Sequence, residues 1–159
     1  MTEPSYEQTF PADTSGKVVA LEELLGARLP EDYRNYLRRQ DGGALEGYNN
    51  HGIEIICGVG EVPKWSSLWH LLSTQGDVIP AGFIPVGSDA GGGLFLLAVA
   101  GADRSSVWHQ SSETEGDAAG AVSPVSRERL ADSWDEFLSS IEPSNESARL
   151  PQSRTPSRR

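Results

Sequence analysis

Val18, Leu21, Leu24 and Leu25 recur at helical spacing, and Gly26 follows at once. The spacing predicts a helix with one buried face and a glycine stop, because glycine takes the left-handed conformation without steric cost. A second helix is expected from Pro30, whose missing N–H has no intrahelical partner at a first helical position. Glu31 and Asp32 then stand where the helix dipole favours anions, and Arg38 and Arg39 where it favours cations. Tyr33, Tyr36 and Leu37 make its apolar face, with Arg34 on another side. Asp41-Gly42-Gly43 reads as the end of that helix and the start of a turn.

The rest of the chain alternates short strands with two more helical stripes. Residues 1–16 hold Tyr6 and Phe10 without periodicity and are expected to form an irregular lead-in. Residues 44–52 read as a loop, and Ile53, Ile55 and Ile56 as a short strand. Pro63 is expected to open a third helix, with Trp65, Leu68, Trp69 and Leu72 on one stripe and His70 off it. Phe83-Ile84 lies between Pro80 and Pro85 in a strand, and Ala90-Gly91-Gly92-Gly93 is a turn. Leu94–Val99 has almost no alternation, which implies a central strand buried on both faces. Ser106–His109 alternates as a half-buried strand does. Ser111–Gly120 is an acidic surface loop, and Val122 and Val125 suggest a short edge strand around Pro124. Ser126 is expected to cap a closing helix that carries Leu130, Trp134, Phe137, Leu138 and Ile141 and stops at Pro143. The strand connections are too short for parallel crossovers. The pattern is α+β: one domain over residues 17–142, a mostly antiparallel twisted sheet flanked by helices, with a disordered basic tail at 143–159.

Composition changes this picture in one respect. The 159 residues suit a single domain, and the formal net charge is −10. The final segment, 143–159, carries four arginines against one glutamate, so residues 1–142 hold 9 basic and 22 acidic residues, about −13. Such a surface repels nucleic acid and anionic membrane and attracts a basic partner, although charge also serves solubility. The N-terminus has neither a basic region nor an apolar run of signal-peptide length, and no stretch approaches a membrane span; a cytoplasmic protein is expected.

Candidate chemistry is sparse. Cys57, the one cysteine, lies in an apolar run and reads as a buried small residue. His51, His70 and His109 have no Cys, Asp or Glu at metal-ligand spacing, so neither a metal nor another cofactor is expected. The glycine run at 91–93 lacks the Lys-Ser/Thr of a phosphate loop and precedes a strand, as a hairpin turn does. Asp89, Glu113, Glu115 and Asp117 are read either as a glycosidase-like acidic pair or as solvated carboxylates open to a partner. They are the candidate partner-binding residues of an otherwise non-catalytic surface.

Three blocks resemble the SUKH superfamily, which includes Smi/Knr-like fungal cell-wall-assembly regulators and bacterial immunity proteins. The first is L-E-x-x-L-G-x-x-L-P-x-D-Y-x-x-Y-L, from Leu21 to Leu37, with Asp41-Gly42-Gly43 after it. The second is I-P-V-G-S-D-A-G-G-G-L-F-L-L, Ile84 to Leu97; the third is L-A-x-S-W-x-E-F-L, Leu130 to Leu138. Gly93 stands where the family commonly has Asn or Asp, which implies a looser hairpin. The resemblance implies an α+β fold with no catalytic residues. It also implies a protein partner: for an immunity protein, a toxin, often a nuclease or deaminase, encoded nearby and basic enough to complement the acidic domain. The alternative is an intracellular regulatory or scaffold module without a toxin. A small hydrolase is a distant third. A monomer or weak dimer is expected.

Overall fold

In the computed structural model, which describes residues 3–112 and 126–144, the opening helices are set by glycine and by one ion pair. Gly16 (φ 85°) and Gly26 (φ 68°) bracket helix α1 (Lys17–Leu25). Leu21 is buried, but Leu24 is 66% exposed. At 100° per residue Val18 and Leu25 fall to one side of Leu21 and Leu24 to the other; the domain body lies on the first side. Helix α2 (Glu31–Arg39) follows, with Pro30 just outside it as the cap. Glu22 joins the two helices by accepting hydrogen bonds from Leu29 N and from Arg34 Nε, both at 2.8 Å. Burial pushes the Glu22 carboxyl upward, yet these donors hold it below the usual range.

Two expectations fail at the next step. Asp41-Gly42-Gly43 is no turn: it lies inside strand β2 (Gln40–Leu45). The lead-in is not irregular, since Tyr6–Pro11 forms strand β1 along β2. The glycines explain both. Gly42 has φ 77°, and a Cβ there would stand 2.7 Å from the Cys57 carbonyl carbon and oxygen; one on Gly43 would strike the Gln8 carbonyl oxygen. Without side chains, β2 fits between its neighbours. Asp41 is buried and accepts from Val59 N (2.6 Å) and Gly60 N (2.8 Å), which pins the chain after the next strand.

Among the described residues the sheet has seven antiparallel strands in sequence order. After β2 come β3 (Ile53–Ile56), β4 (Phe83–Asp89), β5 (Leu94–Ala98), β6 (Val107–Gln110) and β7 (Arg127–Ala131). β5 is buried at every position, as its unbroken apolar run required. The Pro63 stretch divides in two: a 3-10 turn (Lys64–Ser66) and helix α3 (Leu68–Gln75), capped by the Ser67 side chain. Trp65 therefore leaves the expected stripe; it is 50% exposed and packs on Phe10 at 5.7 Å.

The closing helix is shorter than expected. Residues 127–131 are strand β7, and helix α4 (Trp134–Ser140) begins at Ser133, not Ser126. Ser133 Oγ accepts from Glu136 N at 3.1 Å, while Glu136 accepts from Asp132 N at 2.6 Å. This is close to a capping box, and its Ser-x-x-Glu signature stands at 133–136, whereas Arg129 denied it to Ser126. Helices α2 and α4 meet through Asp32, which accepts from Asp135 N at 3.0 Å. Trp134 packs on Tyr33 (4.9 Å) and Tyr36 (5.3 Å), both edge-on, and on Phe137 (5.7 Å). Ile56, Ile84, Val86, Phe95, Leu97 and Val107 complete that core from the sheet. No helix among the described residues is long and apolar enough to cross a membrane.

Candidate functional site

Antiparallel strands in sequence order alternate their direction, so every second connection reaches the same end of the sheet. The registers Tyr6↔Leu45, Ile53↔Asp89, Leu94↔Gln110 and Gln110↔Arg127 place four things there. They are the start of β1, loop 46–52, hairpin 90–93 and the junction between β6 and β7. The chain after α4 joins them: Asn50 N donates to Glu142 O, Ser144 N to Tyr48 O, and Asn50 Nδ2 to Ser140 O.

These ties reassign the Asn49-Asn50-His51 loop. Asn49 is buried and its side chain closes the turn, accepting from Ile53 N and donating to Ile53 O. His51 is half-buried, 5.3 Å from the Phe137 ring. Its Nε2 donates to Ser140 Oγ (2.8 Å), whose own proton goes to Phe137 O (2.7 Å). Burial lowers the His51 pKa. Pro143 and Ser144, assigned to the tail, are bound to this loop by a bridge and a hydrogen bond. The expected tail beyond them lies outside the described residues.

Asp89 also holds the fold. Its Oδ1 accepts from Gly91 N (2.9 Å) and Gly93 N (2.8 Å), and its Oδ2 from His109 Nε2 (2.8 Å). Burial raises its pKa, but His109 and the two glycine N–H groups bring the net shift below the ordinary value. A Cβ on Gly93 would stand 2.5 Å from Asp89 Oδ2 and 2.9 Å from His109 Nε2. Glycine at 93 therefore makes room for the Asp89–His109 hydrogen bond, and the hairpin is tied, not loose. Glu113, Glu115 and Asp117, with the strand expected around Pro124, lie outside the described residues. The residue before them, Ser112, neighbours the hairpin: a Cβ on Gly92 would be 3.6 Å from its own.

Charge is unevenly distributed. Arg28 and Arg38 pair with Glu31, Arg34 with Glu22, Arg39 with Glu3, Lys17 with Glu61, and Arg129 with Asp103 and Asp132. At the loop end, Glu46, Glu54, Glu128 and Glu142 are exposed. Among the described residues no ion pair joins any of these four to a lysine or arginine. Tyr48 stands with them, 43% exposed. Sequence reading missed this acidic pole because its members come from separate elements. The one local hint was an aromatic residue set between Gly47 and two asparagines.

The recurring motifs, by contrast, are spent on the fold. Leu21, Leu29, Tyr33, Tyr36 and Leu37 are core, Asp32 and Asp41 hold backbone N–H groups, and Asp89 closes a hairpin. Among the described residues no group of three or more His, Cys, Asp or Glu could hold a metal ion. No curated protein matches the chain. The family model described as SMI1 / KNR4 family (SUKH-1) matches residues 14–140, which takes in all three motif blocks, and the chain belongs to that family.

Proposed function

We propose that this protein is a cytoplasmic immunity protein that neutralises a basic toxin, nuclease- or deaminase-like, by tight non-covalent binding at the acidic loop end. The observation that supports this reading most is the group of exposed carboxylates at the loop end. Lys17, Arg28, Arg34, Arg38, Arg39 and Arg129 are held in ion pairs, while Glu46, Glu54, Glu128 and Glu142 at the loop end are exposed without a described one, beside an Arg127 that donates to Gln110. A patch of one sign accelerates encounter with a partner of the other and fixes its approach. Asp89 contributes its charge from within the hairpin, and Glu113, Glu115 and Asp117 remain candidate partner-binding residues in this reading. A binding role also fits a chain whose family motifs build structure and whose carboxylates and histidines serve local hydrogen bonds. The same family accommodates a regulatory or scaffold module, which needs no toxin.

The test is direct. The product of the neighbouring gene is mixed with this protein, and co-elution and toxin activity are measured. A stoichiometric complex that abolishes the activity of a basic toxin is expected. A neighbour that neither binds nor is inhibited would overturn the immunity reading in favour of the scaffold.

A further inference from the structure

Strand β7 brings a cation to the acidic loop end. Successive side chains of a strand leave opposite faces of the sheet, and the registers separate two rows here. Phe95, His109 and Glu128 stand in line on the face that α4 covers, where Phe95 packs on Phe137 at 5.9 Å. Leu94, Gln110 and Arg127 stand in line on the other face. Arg127 is exposed, yet its Nε donates to Gln110 Oε1 at 2.6 Å. Gln110 is only 2% exposed, and its Nε2 donates in turn to Val78 O at 3.0 Å. A buried amide bound at both ends thus fixes the direction of a surface guanidinium. Among the described residues no carboxylate forms an ion pair with Arg127, and its terminal amino groups make no described hydrogen bond. Gln110 also lines a hollow of about 250 Å³ with Thr74, Asp77, Ser111 and Ser112, so there is room for an incoming side chain beside it.

We infer that Arg127 is a specificity contact of the partner surface, and that it receives one aspartate or glutamate side chain of an otherwise basic protein. This rests on the acidic loop-end reading above and adds to it a contact of opposite sign. A guanidinium whose Nε is engaged still offers its two terminal amino groups, a fork that matches the two oxygens of a carboxylate. Charge selects the occupant. One cation neutralises one carboxylate, whereas a phosphate dianion or a nucleic acid would also meet Glu128, next in the chain, and Asp77 at the hollow. Because Gln110 already holds the arginine, little ordering remains to be paid on binding. The consequence is discrimination. Any basic surface is drawn to the exposed carboxylates, but one without an acid in the right place sets its own cations against Arg127.

The experiment titrates the full chain at low salt with two capped heptapeptides and follows backbone amide and arginine Nε–H signals. Each peptide has six lysines; the central residue is glutamate in one and glutamine in the other. The chain's net charge of −10 by itself favours the glutamine peptide, which carries one more positive charge. The site predicts the reverse: the glutamate peptide should bind about threefold more tightly or better, with shifts at Arg127, Gln110 and Ser111. Arg127→Ala should restore the preference for the glutamine peptide, and Arg127→Lys should keep a smaller preference for glutamate. Arg127 is exposed, so both variants should melt as the wild type does. A wild type that prefers the glutamine peptide or binds neither, or a preference that Arg127→Ala leaves unchanged, would overturn the site. A glutamate preference that emerges only after Glu113→Gln, Glu115→Gln and Asp117→Asn would assign Arg127 to the chain's own carboxylates and overturn the partner. With the product of the neighbouring gene, Arg127→Ala should raise the dissociation rate about tenfold without slowing association. An unchanged dissociation rate removes this contact alone, and a peptide preference with no such complex removes the immunity reading alone.

Discussion

Trp134→Ala should lower the free energy of unfolding by about 3–5 kcal/mol, the range for removing a large aromatic from a close-packed core. Trp134 is fully buried and makes the aromatic contacts of α4 with α2. Its ring touches Tyr33, Tyr36 and Phe137, so truncation opens a cavity bounded by three aromatic rings that cannot all close upon it. A loss of that size is a large share of the stability of a domain this long. Urea unfolding with unchanged slope reads it. A loss under about 1 kcal/mol would show that α4 does not close the core.

Gly42→Ala should cost about 2–6 kcal/mol, because two penalties coincide there. Left-handed backbone strains any residue with a Cβ by roughly 1–3 kcal/mol, and overpacking typically adds roughly 1–3 more. The clash at Gly42 is with the backbone of Ile56 and Cys57, which cannot rotate away as a side chain would. Gly47→Ala is the control: φ is 66°, yet nothing lies within 4 Å of its Cβ, so only the conformational penalty remains. Unfolding of both variants under the same conditions separates the two contributions. Equal losses would mean that β2 is not wedged between its neighbours as described.

The parts of the fold legible in the sequence are those where burial repeats with a fixed period. The α2 face, the apolar run of β5 and the Phe137-Leu138 pair of α4 were all of that kind. β1 was hidden because an edge strand exposes most of its positions, and its register is interrupted twice. β7 was hidden because Arg127-Glu128-Arg129 is polar and Leu130 falls at helical spacing from Trp134. The Asp-Gly-Gly run misled because glycine marks a turn in local reasoning, whereas here a third strand demanded its lack of a side chain. The site was less legible still. Asp89 was singled out as a free acid and is bound on both oxygens, through contacts with residues up to 20 positions away. Glu46, Glu54 and Glu142 were unremarkable singly; the alternation of strand direction gathers the first two, and hydrogen bonds with Asn50 bring in the third.

The central claim is that this acidic end captures a basic protein. Its most direct test is the association rate with the product of the neighbouring gene at two ionic strengths, for the wild type and for a variant neutralised at the loop end. The variant carries Glu46→Gln, Glu54→Gln, Glu128→Gln and Glu142→Gln. Its melting temperature should match the wild type closely, since exposed charges contribute little to stability. Its association should be about tenfold slower at low salt, and the difference should fade as salt screens the field. An association rate indifferent to both the substitutions and the salt would contradict the account.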